Sequence, residues 1–211
     1  MKNLNIFNEL GKVKIIPVVV LEKVSVAEKL GEILMRCELP CAEVTFRTDA
    51  TVEILKTLRK KFPSMLLGAG TVLSNEKAEQ AFDAGASFAV SPGFDTKLVE
   101  FCLKKNFPII PGVATASEIQ TALSMGLTVL KFFPAAALGG VKMLKALSAP
   151  FKQARFVPTG GITKENIVDF LALPSVLACG GTWLVKKDLL EQEKFDDVEK
   201  LIKEAVFSIQ K

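Results

Sequence analysis

A single lysine interrupts an apolar segment of the chain: Lys131 stands between Val129-Leu130 and Phe132-Phe133. The apolar run predicts a buried strand, and a buried amine has either a structural or a chemical explanation. In the structural one, the lysine extends to the strand end or pairs with a carboxylate. In the chemical one, a partly desolvated cavity disfavours the charged ammonium form and leaves a neutral amine that can attack a carbonyl.

A second segment alternates polar and apolar residues, with Glu43, Thr45 and Arg47 as the polar members. Strand side chains alternate between faces, so all three are predicted on one face. Glu43 is either a counter-ion for a neighbouring cation or a proton carrier. Arg47 either forms an ion pair or binds a substrate carboxylate through two hydrogen bonds from its planar guanidinium. If it lies near Lys131, its positive charge further disfavours the ammonium form of that lysine.

Two residue types are missing, since the chain has 0 His and 0 Tyr. A His-based zinc site and Ser-His or Cys-His nucleophilic chemistry are therefore excluded. The four cysteines Cys37, Cys41, Cys102 and Cys179 form no CxxC pair, and we expect reduced thiols without a metal or other cofactor. General acid–base work falls to a carboxylate, a lysine, a cysteine or a bound water.

Composition predicts one domain over residues 1–211, because 211 residues that are 49% hydrophobic can bury a sizeable core. No apolar run reaches the roughly 18–20 residues of a membrane helix. The net charge of +4 is spread along the chain, which argues against a nucleic-acid surface. The first residues alternate charged and apolar types and show no signal peptide, so we expect a cytoplasmic location.

Short apolar segments alternate with helical ones along the whole chain. The predicted strands are 15–20, 42–46, 65–70, 88–92, 107–112, 128–133, 155–160 and 176–181. The predicted helices are 25–36 (opened by Ser25), 49–61, 75–84, 96–105, 116–125, 140–147, 164–172 and 194–209, after a short helix at 3–10. This α/β pattern predicts a single (β/α)8 TIM barrel. A doubly wound open sheet is the alternative, although eight parallel strands would make it unusually wide.

Active sites of such barrels lie at the carboxyl ends of the strands. Thr71 follows the third predicted strand, and the glycine pairs Gly160-Gly161 and Gly180-Gly181 follow or end the last two. Either pair alone is typical of a tight turn. Together they indicate a phosphate site made of backbone N–H groups, and Thr163 is predicted to cap the next helix and direct it towards the same place.

Specific motifs occur in a fixed order: IIPVVV (15–20), AEVTFRT (42–48), GAGTVL (68–73), AVSPGFD (89–95), IIPGVATASE (109–118), KFFPA (131–135), GGVKMLKAL (139–147), FVPTGGI (156–162) and CGGTWLV (179–185). In this order, over nearly the whole chain, they resemble the class I KHG/KDPG aldolases. KDPG is 2-keto-3-deoxy-6-phosphogluconate (2-dehydro-3-deoxy-6-phosphogluconate), and KHG is 4-hydroxy-2-oxoglutarate.

The resemblance implies a homotrimeric barrel that cleaves KDPG to pyruvate and glyceraldehyde 3-phosphate through a lysine Schiff base without a metal, in sugar-acid degradation of the Entner–Doudoroff type. It places the Schiff base on Lys131 and proton transfer on Glu43, with Arg47 and Thr71 on the substrate carboxylate. The rest of the substrate, with its phosphate, falls to Thr159, Gly160, Gly161, Gly180, Gly181 and Thr182. Relatives often have serine at the position of Thr182, which keeps the hydroxyl.

Several functions stay open at this point. The aldehyde product could be glyoxylate, as in cleavage of 4-hydroxy-2-oxoglutarate. A phosphosugar isomerase or epimerase would use Glu43 as a base without covalent chemistry. A flavin-binding barrel would hold the flavin phosphate on the same glycine loops. A barrel that only binds a ligand, without activity, would have no physical need for the polar residues Glu43, Arg47, Thr71 and Lys131.

Overall fold

The structure is a computed structural model that describes residues 2–209, with side chains from residue 6 onward. Its strands confirm the predicted alternation. They are β1 (Ile15–Val19), β2 (Cys41–Thr45), β3 (Leu66–Gly70), β4 (Phe88–Val90), β5 (Ile109–Ile110), β6 (Gly112–Val113), β7 (Val129–Phe132), β8 (Arg155–Pro158) and β9 (Cys179–Gly181).

Helices follow the strands along the chain. They are α1 (Lys2–Val13), α2 (Val24–Arg36), α3 (Thr51–Lys61), α4 (Asn75–Asp83), α5 (Thr96–Lys104), α6 (Ala116–Ser124), α7 (Gly140–Ser148), α8 (Ile167–Leu171), α9 (Lys187–Glu191) and α10 (Phe195–Ser208). The first helix is longer than predicted, and α9 was not predicted. The capping role given to Ser25 is wrong, because α2 already begins at Val24 without a side-chain cap.

The predicted strand 107–112 is two short strands, because Pro111 separates β5 from β6. Proline has no N–H to give to a neighbouring strand. Its carbonyl is still used, since it accepts a hydrogen bond from the Lys131 N–H at 2.8 Å. Gly112 passes so close to the preceding loop that a Cβ there would lie 2.1 Å from the carbonyl oxygen of Pro92. The interruption therefore comes from the two residues that follow Ile110.

All strand pairings are parallel. One sheet has six strands in the order β5-β4-β3-β2-β1-β9, and the other has three in the order β6-β7-β8. Two isolated parallel bridges, Phe156 with Val176 and Thr159 with Gly180, connect β8 to the β9 segment. The molecule thus has a parallel α/β fold whose sheet is curled.

The core has two parts. The larger lies between the strands and the helices, as the buried Val44 of β2 and Leu30 of α2 illustrate. The smaller takes its buried side chains from strands of both sheets and from α1: Leu10, Ile16, Cys41, Phe88, Val90, Ile110, Val129, Val157 and Ala178. Between residues 2 and 209, none of the helices combines the length and the apolar character that crossing a membrane requires.

Candidate active site

Glu43 lies in the middle of β2, in register with Val18 of β1 and Gly68 of β3. It shares its face of the strand with Cys41, a member of the smaller core cluster. The side chain is only 3% exposed. A carboxylate is thus held over the apolar interior, at the position that the alternating pattern predicts.

Lys131 lies in β7, in register with Gly112 of β6 and Val157 of β8. It shares its face of the strand with Val129 of the same core cluster. The side chain is 7% exposed, and its Nζ lies 5.0 Å from the ring centre of Phe133, within the range of a cation–π contact. No sequence pattern assigns a role to Phe133, which lies two residues beyond Lys131 and follows the last residue of β7.

The two side chains meet inside the molecule, with Lys131 Nζ 3.6 Å from Glu43 Oε1. This separation is an ion-pair contact but is too long for a good hydrogen bond. Among the described residues, Glu43 Oε1 is buried without any hydrogen-bond partner. Burying an unsatisfied acceptor costs about 1–3 kcal/mol or more, and such groups concentrate where chemistry needs them. The oxygen is therefore an unused hydrogen-bond acceptor beside the amine of Lys131.

Thr45 lies on the same face as Glu43 and is also buried. Its hydroxyl donates a 3.0 Å hydrogen bond to the carbonyl oxygen of Val19, the last residue of β1. The hydroxyl of Thr48 likewise donates to the carbonyl of Leu21 at 2.6 Å. These bonds tie the carboxyl ends of β1 and β2 together and fix the segment that leads to Arg47.

Arg47 and Thr71 follow the carboxyl ends of β2 and β3. Arg47 is exposed, and no hydrogen bond or ion pair joins its side chain to the side chains described from residue 6 to 209. Thr71 is half-buried and has a left-handed backbone, with φ of 55°. The structure brings Lys131 and Glu43 into contact and leaves the guanidinium of Arg47 available at the rim.

The loop after β8 carries Thr159, Gly160 and Gly161. Thr159 is buried and bridges to Gly180, where a Cβ would lie 2.5 Å from Thr159 Oγ1. Gly160 and Gly161 have φ of 92° and 76°, a region that favours glycine. The carbonyls of Thr159 and Gly160 accept hydrogen bonds from Ala135 and Ala136, but no acceptor in the described chain takes the N–H of Gly160 or Gly161.

Beside this loop, the segment after β9 runs from buried Gly181 to exposed Thr182. The ring of Trp183 packs so closely on Gly181 that a Cβ there would lie 1.7 Å from the ring. The capping role predicted for Thr163 is wrong. The next helix, α8, begins at Ile167, and the Thr163 N–H instead donates to Asn166 Oδ1 at 2.9 Å.

The cysteines are all buried and unpaired by disulfides. Burial raises the pKa of every thiol, and for Cys41 the negative charge of Glu43 adds to that effect. A thiol that keeps its proton is a poor nucleophile. Among residues 2–209 there is also no group of three or more His, Cys, Asp or Glu side chains that could hold a metal ion.

Comparison with known proteins gives the class first. A family model described as KDPG and KHG aldolase matches residues 6–201. The chain is 48% identical over 198 residues to the 2-dehydro-3-deoxy-phosphogluconate aldolase of Treponema pallidum, covering 94% of each chain. It is 43% identical over 192 residues to the KHG/KDPG aldolase of Escherichia coli K12, covering 91% of this chain and 90% of that one.

Similarity to solved structures points to the same family. The KDPG aldolase of Legionella pneumophila, with pyruvate captured as a covalent carbinolamine intermediate, superposes with a TM-score of 0.89 at 39% identity, covering 94% of this chain and 95% of that chain. The chain therefore belongs to the KDPG and KHG aldolase family.

Proposed function

We propose that the chain is a class I aldolase, a carbon–carbon lyase that cleaves KDPG to pyruvate and glyceraldehyde 3-phosphate through a Schiff base on Lys131. The observation that carries the proposal is the buried pair of Lys131 Nζ and Glu43 Oε1 at 3.6 Å, with the carboxylate oxygen unbonded. The Legionella relative captured with pyruvate as a carbinolamine supports the same chemistry.

The first half of the reaction builds the Schiff base. Lys131 first passes a proton to the carboxylate of Glu43, and the neutral amine that remains adds to the C2 ketone of the substrate, giving a carbinolamine with a hydroxyl on C2. Glu43 donates the proton with which that hydroxyl leaves as water, and a protonated imine remains. The low exposure of both side chains limits competition from bulk water at this step.

The second half breaks the bond between C3 and C4. The C4 hydroxyl loses its proton to the Glu43 carboxylate, and the bonding electrons move into the protonated imine to give an enamine of pyruvate. Glyceraldehyde 3-phosphate leaves with the new C4 carbonyl. Protonation of the enamine at C3 and addition of water at C2 then release pyruvate and return Lys131 to its amine form.

Arg47 and Thr71 hold the carboxylate that substrate and pyruvate share. The guanidinium of Arg47 has no partner within residues 2–209, so binding a carboxylate breaks no existing ion pair. A guanidinium matches a carboxylate with two parallel hydrogen bonds. Thr71 follows the neighbouring strand β3, one residue beyond Gly70, which is in register with Thr45.

The loops after β8 and β9 hold the phosphate end of the substrate. The left-handed glycines Gly160 and Gly161 present N–H groups that no acceptor in the described chain uses, and successive free N–H groups form an anion-binding concavity. Thr159 and Gly180 join the two loops, and Gly181 and exposed Thr182 complete the site.

The proposal includes the complete (β/α)8 barrel as a single domain over residues 1–211, although 1, 210 and 211 lie outside the described residues. Three features support closure: the single residue between β5 and β6, the two bridges from β8 to the β9 segment, and an inner cluster drawn from both sheets. Assembly as a homotrimer and a role in sugar-acid degradation follow the family resemblance. A cytoplasmic location without nucleic-acid or membrane partners follows the charge distribution, the short apolar runs and the first residues of the sequence.

A second substrate deserves direct comparison, because the Escherichia coli relative at 43% identity is named for KHG as well as KDPG. We expect a higher kcat/KM for KDPG than for 4-hydroxy-2-oxoglutarate, since only KDPG uses the phosphate loops. Thr182→Val should lower kcat/KM for KDPG several-fold and leave the unphosphorylated acid nearly unchanged. Faster turnover of 4-hydroxy-2-oxoglutarate by the unaltered enzyme would contradict the preference for a phosphorylated substrate.

A further inference from the structure

The last residue of β3, Gly70, lies directly against the carboxylate of Glu43. A Cβ at Gly70 would lie 2.3 Å from Glu43 Oε1, 2.7 Å from its Cγ and 2.9 Å from its Cδ. Real Cβ atoms essentially never come this close to another heavy atom. Any side chain at position 70 would therefore compete with the carboxylate for the same space.

The backbone gives no other reason for glycine at this position. Gly70 is absent from the glycines with positive φ, so an L-residue can adopt its conformation. Its three nearest neighbours in the direction of a side chain are all atoms of Glu43. The need for glycine is therefore steric and is directed at one side chain.

The carboxylate depends on this contact, because no hydrogen bond within the described chain fixes its Oε1 atom. Packing must then decide where the oxygen lies relative to Lys131. The 3.6 Å contact with Lys131 is too long to hold the oxygen as a hydrogen bond would, so the carboxylate moves when the packing around it changes. A displacement of about 1 Å in an active site can lower a rate 100-fold.

We propose that Gly70 is a positioning residue that keeps the carboxylate of Glu43 beside the amine of Lys131. This inference rests on the proposed Schiff-base function, in which Glu43 carries protons. Gly70 has no side chain to offer the substrate, and the contact that carries this inference is the one with the carboxylate of Glu43.

A kinetic double-mutant cycle tests the coupling. Gly70→Ala should lower kcat about 100-fold while changing KM by about twofold or less. Glu43→Gln keeps the shape of the side chain but removes its proton transfer, which should lower kcat about 100- to 10,000-fold. Adding Gly70→Ala to Glu43→Gln should then lower kcat by no more than about twofold further. An undiminished loss in the Glu43→Gln background would overturn the proposal.

The matched control is Gly68→Ala, on the same strand and the same face. A Cβ at Gly68 would lie 2.5 Å from the ring of Phe88 instead of from the carboxylate. This variant should lower Tm, as any overpacked core does, and should change kcat by about twofold or less. A loss of kcat as large as that of Gly70→Ala would show that general disturbance of β3 is enough, and would contradict a specific role for Gly70.

A second double-mutant cycle, measured by Tm, tests the contact between Gly70 and Glu43 without relying on enzymatic activity. Gly70→Ala should lower Tm in the wild-type background, whereas in Glu43→Ala, where the clashing atoms are gone, it should leave Tm within about 2 °C. If Gly70→Ala alone does not fold, the double variant is compared with Glu43→Ala: a double variant that folds supports the proposal, and one that does not fold although Glu43→Ala does overturns it. If the wild-type protein has no aldolase activity, the proposed function is wrong. The Tm cycle still tests the contact between Gly70 and Glu43 in that case, so the two failures can be told apart.

Discussion

Lys131 Nζ and Glu43 Oε1 lie 3.6 Å apart although their strands belong to different sheets, Lys131 to β7 of the three-stranded sheet and Glu43 to β2 of the six-stranded one. No strand pairing brings these residues together. They meet because both side chains point into the interior that the two sheets share. Both side chains are buried, and the fold gives each charge one partner of opposite sign.

Removing the cation should leave that carboxylate buried without compensation. We expect Lys131→Met to lower the free energy of unfolding by about 3–5 kcal/mol near neutral pH, because breaking a buried pair strands the remaining charge. Urea unfolding followed by circular dichroism measures this change.

The matched variant removes the stranded charge as well. Lys131→Met combined with Glu43→Gln should regain most of the lost stability, since an amide is far less costly to bury than a carboxylate. If the double variant is as unstable as Lys131→Met alone, the pair is not the electrostatic unit that the 3.6 Å contact indicates.

Arg47 should matter for binding and hardly at all for stability. Its side chain is exposed, and Arg47→Ala would remove no hydrogen bond or ion pair to the side chains described from residue 6 to 209. We expect KM for KDPG to rise about 10- to 100-fold, which corresponds to losing charged hydrogen bonds worth about 1.5–3 kcal/mol. Steady-state kinetics and thermal unfolding check the two halves of this expectation.

Arg47→Lys is the control for Arg47→Ala, because it keeps the charge and loses the two-pronged geometry. Its KM should lie between those of the wild type and the alanine variant. An unchanged KM in Arg47→Ala, or a large fall in its Tm, would argue against a role in holding the substrate carboxylate.

Alkaline pH should destabilise the protein through its buried thiols. Burial raises the pKa of Cys102 from the ordinary value of 9.0 to about 11. The unfolded thiol therefore loses its proton first, so the stability that Cys102 contributes is fully present below pH 9.0 and is lost as pH rises towards about 11. The urea midpoint should fall more steeply over this range in the wild type than in Cys102→Ala.

Other groups titrate in the same range, so the comparison between the two proteins isolates the thiol. Below pH 9.0, the difference between their urea midpoints should not vary with pH. Identical slopes above pH 9.0 would mean that Cys102 is not effectively desolvated in the folded protein.

The alternating apolar and helical segments were enough to predict the order of strands and helices, because each buried strand needs a helix to cover it. Local pattern failed where tertiary contacts decide the backbone. Pro111 and the close approach of Gly112 to Pro92 divide a predicted strand, and α8 is shorter than the helix predicted from its apolar residues.

In the candidate site, too, local sequence predicts some features, whereas others depend on tertiary structure. The alternation of Glu43 with its neighbours in β2 predicts which face it uses, and an isolated lysine in an apolar run singles out Lys131. The contact between them depends on how two sheets come together, which neither segment contains. The steric role of Gly70 is also a property of the assembled fold, since it arises from a side chain on the neighbouring strand.

The most direct test of the account is borohydride reduction in the presence of pyruvate, followed by intact mass measurement and peptide mapping, with Lys131→Ala as the control. We expect one reduced pyruvate adduct, located on Lys131 and absent from the folded Lys131→Ala variant. A folded wild-type protein that forms no adduct, or that carries it on another lysine, would show that Lys131 is not the Schiff-base residue.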